Sequence, residues 1–238
     1  MMPHALALSP HLDDAAFSCG GTLARLVQQG WSVTVCTVFT RSVTAPSGFA
    51  LACQTDKGLA PDVDYMALRR AEDAAACAVL GAEPLWLNWP EAPHRGYQDA
   101  AALFGRPLEE DPAHGLAETL PDGPADLLLA PQAVGGHVDH VLLVQALRLQ
   151  ARPVLWWTDF PYATRAASVR PFDADMKRLA ECQVEGDAQA RLHACAAYTT
   201  QLPFQFGGMK GLEAALNAEG DVESFRGDAA RLPRGIVR

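Results

Sequence analysis

Hydrophobic positions along this chain fall into two alternating periods. A short apolar run, His4 to Leu8, precedes a helical pattern from Ala15 to Gln29 that carries Leu23, Leu26 and Val27 on one face and stops at Gly30. Trp31 to Phe39 is β-branched and nearly continuous, as expected of a strand buried on both faces. Strand, helix and strand in so short a span predict a βαβ unit and hence a parallel pair. Arg41 to Asp62, broken by Pro46, Gly48, Gly58 and Pro61, predicts a long mobile loop at the end of a parallel strand, where such loops cover sites.

The alternation continues with a helix over Val63 to Leu80, stopped by Gly81, and a third strand over Leu85 to Trp89. Pro90 to Pro112 is irregular and holds His94, Arg95, Tyr97 and Arg106; a short helix follows over Ala113 to Leu120. His94 and His114 read as solvated loop residues. A fourth strand (Asp126 to Pro131), a helix (Val141 to Gln150) and a fifth strand (Pro153 to Thr158) come next. Helical patterns around Ala174 to Cys182 and Ala188 to Tyr198 lead to a tail with no clear signal. This order predicts an α/β fold of Rossmann-like, three-layer type, a mostly parallel twisted sheet with helices on both faces, in one domain spanning 1–238.

Composition narrows the function classes. The 238 residues are 49% hydrophobic and 20% charged, an ordinary globular balance, and the net charge of -9 argues against a nucleic-acid footprint. No apolar run approaches the roughly 18 to 20 residues of a membrane span, and the N-terminus lacks a signal pattern, so a cytoplasmic protein is expected. The six cysteines form no CxxC pair and lie mostly in apolar segments, which predicts buried free thiols.

Chemistry concentrates at two strand-to-helix junctions. The first is Ser9-Pro10-His11-Leu12-Asp13-Asp14, followed by Gly20 and Gly21. An aspartate there can be an N-cap, but a cap needs one carboxylate and explains neither the second nor His11, so cap and metal site both stand for this stretch alone. The second is His137-Val138-Asp139-His140, where His137 as a cap and His140 as a satisfied buried histidine is the plainer account. Strand ends of a parallel sheet meet at one crevice, so the clusters can converge. His11, Asp14 and His140 would then supply two imidazoles and a carboxylate, the ligand count of a catalytic zinc with an open position. Asp13 would act as general base toward a metal-bound water attacking a carbonyl, His137 would donate a hydrogen bond or proton, and Asp139 would fix the tautomer of one imidazole. Gly20 and Gly21 fit a close approach of the helix to sheet or substrate, or plain packing.

These residues, with Cys19-Gly20-Gly21-Thr22-Leu23-Ala24, Arg69-Arg70-Ala71-Glu72, Asp159-Phe160-Pro161-Tyr162 and Tyr198-Thr199-Thr200-Gln201, resemble the PIG-L or LmbE-like family of metal-dependent N-deacetylases over most of the chain. The resemblance implies His11, Asp14 and His140 as ligands of one divalent metal ion, Zn2+ first and Fe2+ second. It implies Asp13 as base, His137 as acid or oxyanion-stabilising group and Asp139 as the orienting partner of His137. Leu12, where the family commonly has proline, and Ala15, where an acidic residue is frequent, mark a branch with different surroundings of the ligands. Arg69 is a candidate contact to a sugar or phosphate oxygen, with an ion pair to Glu72 or Asp73 as the competing use. Tyr162, with Trp89, Tyr97 and Trp157, is a candidate for stacking on a sugar ring. The expected activity is hydrolysis of the N-acetyl group of an N-acetylglucosamine-type amino sugar or glycoconjugate, a small-molecule substrate; amidase action on a sugar-thiol conjugate or other amide and noncatalytic sugar binding are the alternatives. A nucleotide-binding Rossmann domain lacks its GxGxxG. A homo-oligomer is left open.

Overall fold

A computed structural model describes residues 2–150, 152–165 and 168–238. In chain order its elements are β1 (His4–Ser9), α1 (Asp14–Gln28), β2 (Ser32–Thr37), α2 (Gly48–Thr55), α3 (Tyr65–Leu80), β3 (Glu83–Trp86), α4 (Ala100–Leu103), β4 (Leu127–Pro131), α5 (Val138–Leu149), β5 (Leu155–Trp157), α6 (Asp173–Met176), β6 (Glu181–Glu185), α7 (Ala188–Ala196), α8 (Leu202–Phe206), α9 (Met209–Glu219) and β7 (Val222–Arg226). The seven strands form one sheet in the order β3-β2-β1-β4-β5-β7-β6. The first five run parallel, and β7 and β6 close one edge antiparallel.

The period of two along each strand splits the core into two layers. Ala5 and Ala7 of β1, Leu127 and Leu129 of β4, and Leu155 and Trp157 of β5 face a cluster built from α1, α3 and α7. Leu6 and Leu8, Leu128 and Ala130, and Trp156 face a second cluster with α5 and Leu116. Full burial of strands on both faces is why they read as continuous apolar runs. The chain winds outward from β1 to β3, then returns to place β4 on the other side of β1. That reversal is the point where neighbouring loops diverge and leave a crevice at the strands' C-terminal ends.

Four expectations are corrected. The 41–62 stretch contains α2, whose eight residues are flanked by Pro and Gly and too short for a clear helical period. The pattern around Ala174 to Cys182 is the short α6 followed by β6, in which Cys182 and Val184 are buried between exposed Glu181, Gln183 and Glu185. The unassigned tail supplies α8, α9 and β7, and β7 alternates in the same way. The Ala113 to Leu120 stretch is a 3₁₀ helix over Pro112–Glu118. All six cysteines are free, and no helix of the described residues is long and apolar enough to cross a membrane.

Helix α1 is broken at Cys19, whose φ of -145° and ψ of 20° are not helical. The groups freed by the break find partners far along the chain. Arg191 Nε donates to Phe17 O at 2.9 Å, and the buried Glu223 carboxylate accepts from Gly21 N at 2.9 Å and Thr22 N at 2.6 Å. A Cβ on Gly21 would come 2.9 Å from Asp187 N and 3.0 Å from Glu223 Oε1. The glycine pair therefore serves packing of α1 against the β6–α7 turn and β7, rather than approach to substrate.

Candidate active site

The loop leaving β1 is tied by its own side chains. Ser9 Oγ donates to His11 O at 2.7 Å and accepts from Ala15 N at 3.1 Å, and His11 N donates to Asp14 Oδ2 at 2.9 Å. This closes the turn so that His11 and Asp14 point to the same space. His11 Nδ1 lies 3.2 Å from Asp14 Oδ2, and His140 Nε2, from the first turn of α5, lies 3.2 Å from the same oxygen. The ring nitrogens of His11, His137 and His140 converge within 4.8 Å.

The outward nitrogens of two of these rings are held by carboxylates. His11 Nε2 is 2.9 Å from Asp139 Oδ2, and His140 Nδ1 is 2.9 Å from Asp159 Oδ1, beyond the end of β5. An imidazole that donates from one nitrogen presents a lone pair at the other, the arrangement of metal-ligating histidines. His140 Nε2 is buried and has no hydrogen-bond partner. Such an atom costs free energy unless something fills its valence. Two inward lone pairs and a carboxylate oxygen fit a divalent cation.

Asp13 is at the N-cap position of α1 but makes no capping hydrogen bond, and its φ of 156° is rare for a side-chain-bearing residue. Its carboxylate faces the cleft with Arg69 Nη2 at 3.6 Å from Oδ1. Burial pushes the Asp13 carboxyl up to about 7 against the pull of the Arg69 guanidinium. His137 does cap α5, its Nδ1 accepting from Asp139 N at 3.2 Å. Nε2 is then the protonated nitrogen and a donor toward the cleft. Burial, with His11 beside it, lowers the His137 imidazole to about 3. Burial also works against a charged His140, but Asp14 and Asp159 outweigh it and raise that imidazole to about 9.

Residues 6–151 match the family model described as PIG-L: GlcNAc-PI de-N-acetylase. The chain belongs to the PIG-L family. It is 39% identical over 174 residues to the 2'-N-acetylparomamine deacetylase of Streptomyces fradiae, a match covering 69% of this chain and 59% of that enzyme, so less than two thirds of the relative's length is represented. Among solved structures, an antimicrobial-reagent pseudoaglycone deacetylase superposes with a TM-score of 0.73 at 30% identity, covering 94% of this chain and 96% of that one. The zinc-inhibited form of a teicoplanin deacetylase superposes with a TM-score of 0.75 at 25% identity, covering 95% and 99%.

In this PIG-L chain three sequence expectations about the site change. The Asp139 carboxylate does not hold the His137 ring, whose Nδ1 accepts from the Asp139 backbone N–H; the carboxylate instead reaches His11, because the first turn of α5 aims it at the β1 loop. Arg69 pairs with neither Glu72 nor Asp73. It is buried across the sheet end, where it binds Glu91, donates to Leu12 O at 3.1 Å and flanks Asp13. Glu72 instead accepts from Thr199 and Thr200, and Asp73 from Tyr198 and Trp86. Of the aromatic candidates only Tyr162 reaches the site, its ring 5.6 Å from that of His140. Trp157 is core, Tyr97 donates to Asp111, and Trp89 donates to Thr119.

The PIG-L cleft that holds His11, Asp13, Asp14 and His137 measures about 290 Å³. Phe49, Cys53 and Lys57 of the α2 region, Phe104 after α4 and Phe204 of α8 complete its walls. Lys57 Nζ sits 5.3 Å from the Tyr65 ring centre and 4.9 Å from that of Phe204. Glu91, Arg95, Asp111 and Asp159 are the functional neighbours that sequence reasoning left without a role. The one available signal was Asp159, at a strand end equivalent to those of the two His/Asp clusters. Among the described residues, His94 and His114 stay outside the convergent histidines.

Proposed function

We propose that this chain is a metal-dependent deacetylase that hydrolyses the N-acetyl group of an amino-sugar substrate. The observation that carries the reading is the convergence of His11 Nδ1, Asp14 Oδ2 and the partnerless, buried His140 Nε2 beside the carboxylate of Asp13. The names of its relatives, deacetylases of 2'-N-acetylparomamine and of glycopeptide compounds, support an N-acetylated amino sugar or glycoconjugate as substrate. His11, Asp14 and His140 would hold one divalent ion. Zn2+ is favoured by the mixed nitrogen and oxygen ligands, and Fe2+ accepts the same set of two histidines and a carboxylate.

When bound, the ion acidifies water and polarises an amide carbonyl. The chain's own groups do the rest. Asp13, beside the ligands but not fixed as a cap, accepts the proton of the attacking water. The Nε2–H of His137 donates to the carbonyl oxygen as negative charge develops there, a donor set in advance by the Nδ1 cap. Asp13 then returns its proton to the departing amine nitrogen, giving acetate and free amine. Arg69 keeps the Asp13 carboxylate oriented, and Tyr162 walls the space beside His140.

Acetate release from 2'-N-acetylparomamine and from N-acetylglucosamine conjugates, by protein stripped with chelator and resupplied with Zn2+ or Fe2+, tests the reading. Metal-restored release of acetate is expected. Release that is undiminished in the stripped enzyme would overturn it.

A further inference from the structure

The segment between β3 and β4 contributes a buried chain of charged groups that ends on His11. We infer that Arg95 and Asp111 are positioning residues that set which nitrogen of His11 faces the ligand site. The inference rests on the metal reading above.

Arg95 binds Asp111 through two parallel hydrogen bonds, Nε to Oδ1 at 2.8 Å and Nη2 to Oδ2 at 3.1 Å. The same Nη2 donates to Asp139 Oδ1 at 2.6 Å, and Nη1 donates to Pro90 O at 2.6 Å. Asp111 is itself pinned by Tyr97 Oη at 2.8 Å and Ala113 N at 2.8 Å. The guanidinium lies 4.7 Å from the centre of the Phe39 ring. Arg95, Asp111, Asp139, Tyr97 and Phe39 are all buried. A planar fork that bridges two carboxylates has one arrangement, so the orientation of Asp139 is inherited from Asp111.

The polarity of the last contact follows. Asp139 Oδ1 is taken by Arg95, and Oδ2 accepts from Ala92 N at 3.1 Å and faces His11 Nε2 at 2.9 Å. Surrounded by donors, Asp139 accepts from His11, so Nε2 carries the proton and Nδ1 offers its lone pair toward Asp14. Asp159 imposes the same polarity on His140 by one direct contact. For His11 the task is spread over two further residues, neither of which touches the site.

The test is titration of the stripped, full-length protein with Co2+, followed by visible absorption, for the wild type, Arg95→Met, Asp111→Asn and the control Asp73→Asn. Asp73 is a buried carboxylate bonded to Tyr198 and Trp86, so the control matches loss of a buried charge without touching the relay. Asp111→Asn preserves side-chain volume and reports even where Arg95→Met fails to fold. Partners of this kind typically cost 10–100-fold in metal affinity, so Co2+ binding by Asp111→Asn should weaken by about 10-fold or more with an altered spectrum, and by Asp73→Asn not at all. Affinity and spectrum unchanged in Asp111→Asn would overturn the inference alone. A wild type that binds no Co2+ would overturn the metal reading and the inference with it.

Discussion

Asp159 and His140 meet through one ring nitrogen, Nδ1 at 2.9 Å from Oδ1, while the other nitrogen of the same ring is buried and faces Asp14 at 3.2 Å. The second oxygen of Asp159 is bound by Val134 N at 2.9 Å, so its carboxylate cannot turn away. Replacing that acceptor by an amide of the same shape removes the preference for a lone pair at Nε2. Asp159→Asn should fold and should lose about 10–100-fold in metal affinity, read by equilibrium dialysis with elemental analysis. Metal content matching the wild type at limiting metal would refute the outer-partner role.

The two adjacent aspartates have separate environments and should fail in separate ways. Asp14 shares one oxygen with His11 N and both imidazoles, whereas the Asp13 carboxylate pairs with the Arg69 guanidinium. Asp13→Asn should retain about one ion per chain yet lose about 10²–10⁴-fold in kcat, the usual share of a general base. Asp14→Ala should lose the metal itself. Elemental analysis of both variants beside acetate-release rates separates the two roles, and full turnover by Asp13→Asn would remove Asp13 from the mechanism.

His137 belongs to the histidine trio by distance but is engaged as a helix cap by Nδ1. As a donor to the carbonyl oxygen it should be dispensable for metal and not for rate. His137→Ala is expected to keep its ion and lose about 10²–10³-fold in kcat, the cost of one oxyanion donor. Loss of the ion in His137→Ala would make it a ligand instead.

Gly21 has backbone on one side and the Glu223 carboxylate on the other. Gly21→Ala forces a shift in a packed region and should destabilise the fold by about 1–3 kcal/mol, seen as a lowered midpoint in urea unfolding. KM measured well below that midpoint should stay at the wild-type value, because the contact lies away from the cleft. A marked change in KM would place Gly21 in the site after all.

Elements with strong local signatures were readable from residue pattern alone. β1, β4 and α3 carry long apolar runs or clear stops, such as Gly81 with its φ of 72°. β6 was not, because Glu-Cys-Gln-Val-Glu holds only two inward residues and follows a helical turn without a break. At the site, the grouping of His11, Asp14 and His140 follows from one rule about where parallel strands end. The partner of Asp139 does not, since two imidazoles lie within its reach and the choice depends on the orientation of α5. Arg95 and Asp111 are 16 residues apart in an irregular segment, and nothing in the order of residues joins them before the chain has folded.

The break in α1 ties the two ends of the chain into one cooperative problem. Phe17 O, Gly21 N and Thr22 N lie in the helix that begins with Asp14, and their partners, Arg191 and Glu223, are up to 202 residues away. Those partners also lie outside the 6–151 stretch that carries the family signature. Gly21 N and Thr22 N, in the helix behind the β1 loop, find their acceptor only when β7 brings Glu223 into place. The loop that carries His11 and Asp14 is thus braced by β7, at the far end of the sheet's strand sequence.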